Sequence, residues 1–197
     1  MNNQRIAIVT GAGQGIGKAI ASQLLHDGYT VIIAEKDREA GREAKKELLR
    51  LGSVDFIQPD LRSEKSVTNL FLKIITGYGG LDVLINNAAV FNFKSLTTLS
   101  LKEWNEVIET NLTGYFLCSK YASPHLKKRK GSIVNIASTR AIQSEPDKEA
   151  YAASKGGVIT LTHALAVSLG PEVRVNCISP DWIDVTAWKK SSVKNRE

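Results

Sequence analysis

Cysteine is scarce in this chain: Cys118 and Cys177 are the only two in 197 residues. They stand far apart, each inside an apolar segment, which excludes a disulfide-stapled scaffold and suits buried thiols in a reducing compartment. Proline is also rare, at 5 residues against 15 glycines, so collagen-like and proline-rich architectures are excluded. Long hydrophobic runs are missing. The longest uncharged stretch, Gly156 to Pro171, is interrupted by Thr, Ser and His and falls short of the roughly 20 apolar residues that span a bilayer. No membrane segment is expected. At the start, Met1-Asn2-Asn3-Gln4-Arg5 passes straight into a strand pattern without the charge, apolar core and cleavage site of a leader, and the expectation is a cytoplasmic protein.

What is present is the composition of a globular domain, with 43% hydrophobic and 23% charged residues, enough to bury a core and to exclude disorder. The length suits one domain with an appendage. We place that domain at residues 1–188 and read 189–197 as a charged tail. The net charge of +6 invites a nucleic-acid reading, but two runs carry the excess: Lys127-Lys128-Arg129-Lys130, and the tail bases Lys189, Lys190, Lys194 and Arg196. No aromatic residues interleave with them as a base-stacking platform requires. They read as solvated surface, and no nucleic-acid partner is expected.

Short β-branched runs alternate with helical patterns along the chain. Strands are expected at Ile6 to Thr10, Thr30 to Ala34, Val54 to Gln58, Val83 to Asn86, Ile133 to Ala137 and Val173 to Ile178. Helices are expected near Gly15 to Asp27, Asp37 to Leu51, Ser63 to Tyr78, Leu101 to Lys128 and Glu149 to Leu169. Such alternation means βαβ units and a parallel sheet, and the strands run continuously apolar, as burial on both faces requires. The fold class is α/β: a doubly wound, Rossmann-type parallel sheet of at least six strands with helices on both faces. Ser100 and Glu103 form a capping-box pattern at the start of the fourth helix. The uncharged portion of the last helix lacks the polar stripe of a surface helix, so a cover for it is expected, more readily from a second subunit than from this chain alone.

The first strand leads into Thr10-Gly11-Ala12-Gly13-Gln14-Gly15-Ile16-Gly17 and then a helix. Glycines there permit a tight turn and close approach of a pyrophosphate to the helix N-terminus, a dinucleotide-binding arrangement. An acidic residue is expected at the end of the second strand, and Glu35 occupies it. Its carboxylate favours the ribose hydroxyls of NAD and repels the 2′-phosphate of NADP, although Lys36 and Arg38 follow at once. NAD is therefore the expected cofactor, with NADP second.

Tyr151 and Lys155 lie at i and i+4 on one helix, a phenol and an ammonium on the same face. Bringing a phenol from about 10 to about 7 takes roughly 4 kcal/mol of differential stabilisation, which an ammonium joined by an oxidised nicotinamide can supply.

With these motifs in place, the chain resembles the short-chain dehydrogenase/reductase family along nearly its whole length. The resemblance rests on the glycine-rich turn, Asp60, Asn86-Asn87-Ala88-Ala89, Asn111, Ser138, Tyr151 with Lys155, and Asn176-Cys177-Ile178-Ser179-Pro180. It implies hydride transfer between a secondary alcohol or ketone and a nicotinamide cofactor. Ser138 would hydrogen-bond the substrate oxygen, Tyr151 exchange its proton, Lys155 hold the nicotinamide ribose, and Asn111 anchor a water linking Lys155 to solvent. Asparagine is a poor mid-helix residue, so a local distortion at Asn111 is expected to serve function. The resemblance also implies cofactor contacts from Gly11, Gln14, Gly15, Ile16, Gly17, Glu35, Asp60, Leu61, Asn87 and Ala88. Tyr151, Lys155, Pro180 and Ile183 would serve the nicotinamide end. It implies a homodimer or homotetramer too. His26, His125 and His163 match no motif, and no metal site is expected.

The chain departs from the family at three places. Asp181 stands where glycine is usual after Pro180, Val185 precedes a threonine (Thr186) that arrives one place late, and the tail stands where the family continues into a substrate loop, a helix and a final strand. These departures support an alternative, a dinucleotide-binding but non-catalytic or assembly-defective relative. Val90, Phe91, Phe93, Arg140, Ile142, Gln143, Trp182 and Trp188 are expected to border a substrate pocket of mixed polarity.

Overall fold

The computed structural model of the chain describes residues 4–184. Val185, Thr186, Trp188, the boundary at 188 and the tail at 189–197 lie outside the described residues. The strands are β1 (Arg5–Thr10), β2 (Tyr29–Ala34), β3 (Val54–Ile57), β4 (Val83–Asn86), β5 (Ser132–Ile136) and β6 (Arg174–Ile178). The helices are α1 (Gly15–His26), α2 (Arg38–Leu48), α3 (Glu64–Tyr78), α4 (Leu101–Ile108), α5 (Gly114–Arg129) and α6 (Glu149–Leu169). The sheet order is β3-β2-β1-β4-β5-β6, and all neighbouring pairs are parallel. This is the doubly wound sheet expected from the alternation.

The continuous apolar strands follow from two-sided burial. Ile6 and Ile8 of β1 and Ile32 of β2 pack with Val67, Leu70 and Ile74 of α3 and with Leu117 and Leu126 of α5. Their neighbours Val9, Val31 and Ile33 face the other way, onto Ala21 and Leu25 of α1 and Ala44 and Leu48 of α2. Successive strand residues point to opposite faces, and here each face meets a helix layer. Sheet growth runs outward from β1 in both directions, and the crevice between β1 and β4 opens at the carboxyl ends of the strands, where ligands bind in such sheets.

Helix starts follow local capping. Asp37 accepts from the amides of Glu39 and Ala40 at α2, and Ser63 accepts from Ser66 at α3. The expected box at α4 is complete: the Glu103 amide donates to Ser100 Oγ at 3.3 Å, and the Ser100 amide donates to Glu103 Oε2 at 3.0 Å. The single helix expected over 101–128 is instead α4 and α5 joined by a π-helical turn, Glu109–Thr113, centred on Asn111. One extra residue per turn widens the helix there.

Two asparagines cross the buried face between β4 and β5. Asn86 Nδ2 donates to Asn135 Oδ1 at 2.8 Å and to Ser119 Oγ at 3.2 Å, and Asn135 Nδ2 donates to Thr162 Oγ1 of α6 at 2.9 Å. On its outer side α6 leaves Thr160, His163, Ala164 and Val167 exposed, Val167 by 72%, so the described residues do not cover that side of the helix. Among the described residues no helix is long and apolar enough to cross a membrane.

Candidate active site

The turn after β1 is built to lie close against its surroundings. Gly11 adopts φ +65°, and a Cβ there would sit 2.7 Å from Ala88 Cα; at Gly17 it would sit 2.3 Å from Gly11 O. Neither position admits a side chain. Thr10 ties this turn to the loop after β4, its hydroxyl accepting from the amides of Asn87 at 2.9 Å and Ala88 at 3.1 Å. Asn87 returns the contact, donating from Nδ2 to the carbonyls of Thr10 at 2.9 Å and Gly11 at 3.0 Å. Among the described residues no side chain caps α1, whose first turn begins at Gly15, so its amides face the groove ready for an anion.

Beside this turn runs a groove of about 390 Å³. Gly11, Gln14, Gly15, Ile16 and Gly17 line one side, and Glu35, Asp60, Leu61, Asn87 and Ala88 line the others. Pro180 and Ile183 border an adjoining recess with Gly15 and Ile16. A glycine cradle with no room for a Cβ, uncapped helix amides and an acidic strand end fit a dinucleotide. Glu35 closes on the turn, its Oε2 accepting from the Gly13 amide at 3.0 Å and its Oε1 from the backbone amide of Asp37 at 3.0 Å. Asp60 is clamped by Arg62, with Nε to Oδ1 at 3.1 Å and Nη2 to Oδ2 at 2.9 Å. That hydrogen bonding holds its carboxyl down to about 2. Lys36 also lines the groove, 3.6 Å from Asp60.

Ser138, two residues beyond β5, and Tyr151, on the first turn of α6, share a second pocket of about 200 Å³. Burial pushes the Tyr151 phenol up, against a hydrogen bond from Ser138 and the positive charge of Arg140, which favour the phenolate. Burial outweighs these two groups, and the net direction is upward. Lys155 is fully buried, with Nζ 5.6 Å from the Tyr151 ring centroid. It donates to the Ile136 carbonyl at 2.6 Å and lies 3.5 Å from Tyr115 Oη. Desolvation draws its ammonium down to about 8. Tyr115, itself buried and bonded to Ile136 O at 3.3 Å, completes this lysine's surroundings. Sequence reasoning missed it, because an aromatic on an amphipathic helix reads as core.

Asn111 is buried, but its partners are Val90 and Ser154: Nδ2 donates to Val90 O at 2.8 Å and Ser154 Oγ at 3.1 Å. The widened turn delivers this amide to the loop after β4. Of the expected pocket-bordering residues, Phe91, Phe93, Arg140 and Trp182 do line the second pocket. Ile142 is 85% exposed, and neither it nor Gln143 is part of that lining. Asp181 lies in it, accepting from Thr139 Oγ1 at 3.0 Å and standing 3.4 Å from Arg140 Nη2.

A family model described as short chain dehydrogenase matches residues 5–197. An uncharacterized oxidoreductase of Thermotoga maritima is 51% identical over 196 residues, covering 98% of this chain and 76% of the relative. A 3-oxoacyl-(acyl-carrier-protein) reductase of Chlamydia muridarum is 38% identical over 189 residues, covering 94% of this chain and 76% of that protein. Among solved structures, an apo enzyme from Clostridium thermocellum superposes with a TM-score of 0.86 at 38% identity, over 93% of this chain and 74% of its own. An alcohol dehydrogenase from Thermococcus sibiricus, complexed with 5-hydroxy-NADP, gives a TM-score of 0.87 at 28% identity, over 92% and 78% respectively.

Proposed function

The chain belongs to the short-chain dehydrogenase family, and we propose that this member interconverts a secondary alcohol and a ketone, with NAD preferred and Tyr151 transferring the proton. At the coarser level it is an oxidoreductase of that family working with a nicotinamide dinucleotide. The observation that carries the finer reading is the meeting of the Ser138 hydroxyl and the Tyr151 phenol above the buried Lys155 ammonium, beside a groove suited to a dinucleotide.

When bound, the nicotinamide would supply the hydride acceptor in its oxidised form, NAD⁺, for alcohol oxidation and the hydride donor in its reduced form, NADH, for ketone reduction. The remaining work falls to side chains. Ser138 holds the substrate oxygen, and Tyr151 takes the hydroxyl proton during oxidation and returns it during reduction. Ser138 and Arg140 work against the burial that raises the phenol, and the charge of an oxidised nicotinamide acts in the same direction as they do. Lys155 is assigned to the nicotinamide ribose, and Asn111 to positioning the Val90 loop. The amides of the glycine-rich turn and of α1 take the pyrophosphate, Asp60 the adenine and Glu35 the ribose. Glu35 disfavours a 2′-phosphate, and Lys36, which lines the groove, already faces Asp60.

The exposed, uncharged outer face of α6 supports association of two copies through a self-complementary contact, giving a homodimer or a tetramer built from it. Steady-state kinetics on Tyr151→Phe test the mechanism. Turnover should fall by about a hundredfold or more, while NAD affinity stays within a few fold, since proton-transfer catalysis is worth about 10² to 10⁴. Near-full activity of that variant removes Tyr151 from the reaction. Lys155→Ala should impair both turnover and NAD binding.

A further inference from the structure

The pocket at Ser138 and Tyr151 carries charge that the chemistry of a plain alcohol does not need. Two cations enter its lining, Arg140 and Lys148, against one carboxylate, Asp181. The cations are the buried members: the Arg140 side chain is 15% exposed and Lys148 12%, whereas Asp181 is 61% exposed and its neighbour Glu145 39%. Glu145 serves both cations, lying 2.7 Å from Arg140 Nη2 and in close contact with Lys148. Asp181 reaches Arg140 only at 3.4 Å. Aromatic rings flank the pair, with Trp182 5.7 Å from the Arg140 guanidinium and Phe93 4.9 Å from Lys148 Nζ. Rings and burial lower the local dielectric, which strengthens any ion pair formed there.

Arg140 is also placed beside the chemistry. It follows Ser138 by two residues, its amide donates to Ser138 Oγ at 3.2 Å, and its charge reaches the Tyr151 phenol. We infer that the substrate is a small hydroxy or oxo acid whose carboxylate is held by Arg140, with Lys148 in support, while its secondary alcohol or ketone faces Ser138 and Tyr151. Asp181 is the exchangeable counter-ion. Asp181 is the more exposed partner and sits 3.4 Å from Arg140 Nη2, so a substrate carboxylate that engages the guanidinium through two hydrogen bonds displaces it. A pocket of about 200 Å³ has room for such an acid of a few carbons.

This inference rests on the alcohol–ketone activity proposed above, and the experiment separates the two. The full chain is assayed with NAD and NADP on short 2-, 3- and 4-hydroxy acids, each beside its methyl ester. The best acid should exceed its ester at least tenfold in kcat/KM. Arg140→Gln should bring that acid-to-ester ratio close to one, mainly through KM for the acid, whatever happens to absolute rates. Arg140→Lys should restore part of the preference, and Asp181→Asn should lower KM for the acid. If Arg140→Gln fails to fold, the lysine and Asp181→Asn variants carry the test, with melting and NAD binding as controls. Turnover of neutral alcohols or esters with no preference for acids overturns the carboxylate site and leaves the alcohol–ketone activity standing. Turnover of neither class overturns both.

Discussion

The side chain of Asn111 satisfies both backbone groups of Val90, accepting from its amide and donating to its carbonyl, each at 2.8 Å. A regular helix would direct residue 111 elsewhere; the π turn aims it across to the loop after β4, which lines the dinucleotide groove.

Asn111→Ala should therefore leave two backbone groups and Ser154 with fewer partners. Buried groups deprived in this way cost about 1 to 3 kcal/mol, and at roughly 2 to 4 °C per kcal/mol for a chain of this size calorimetry should register a fall of several degrees in Tm. Cofactor affinity should weaken with it, because Val90 and Phe91 shift. An unchanged Tm would mean that the wide turn holds the loop without its amide.

Glu35 sets the cofactor prediction. NAD should bind at least tenfold more tightly than NADP, a difference of about 1.4 kcal/mol. Glu35→Gln, which can still accept from Gly13, should narrow the gap by charge alone, and Glu35→Ala should narrow it as well. Titration calorimetry giving equal or reversed affinities for the unmutated protein would sink the NAD assignment.

Lys155 links the site to stability. Its ammonium is drawn down to about 8 by desolvation, so between about pH 8 and its ordinary value near 10.5 the unfolded chain binds more protons than the folded one. Folding stability then rises with pH across that window, and the penalty for the buried charge is fully present below pH 8. Lys155→Met, inactive, should melt several degrees higher than the parent below pH 8, with the difference closing as pH approaches 10. Equal melting curves at pH 7 would show that the bond to Ile136 O offsets the burial.

For the outer face of α6, sedimentation velocity over a dilution series should show a dimer or larger species at micromolar concentration. A charge introduced by Val167→Glu or Ala164→Glu should shift it to monomer or aggregate and reduce activity, since Tyr151 and Lys155 share the helix. A monomeric parent would leave that face as ordinary surface.

Much of this was readable before any coordinates. The apolar strands, the glycine turn with Glu35, the capping box and the spacing of Tyr151 to Lys155 are local patterns, and each has its cause within a few residues. Contacts made across elements were not readable. Asp181 stands out in the sequence only as a departure from glycine; its bond to Thr139 and approach to Arg140 exist because β5 and β6 lie side by side. The partners of Asn111 depend likewise on a wide turn whose direction no periodicity reveals. Tyr151 shows a third limit: spacing brings the ammonium near, but burial of both groups and the carbonyl of Ile136 decide where that ammonium points.

The Asn86–Asn135 pair has a consequence for how the chain finds its sheet. The two residues are register partners on β4 and β5, and their amides meet each other and the hydroxyls of Ser119 and Thr162 inside the core. Sliding β5 by one residue would turn Asn135 to the opposite face and part it from Asn86 and Thr162, at about 1 to 3 kcal/mol for each group left unpaired. Branched aliphatic side chains on both strands would tolerate such a slip far better. The pair thus acts as a key that admits one alignment, and that alignment sets the height at which Ser138 leaves the sheet toward Tyr151.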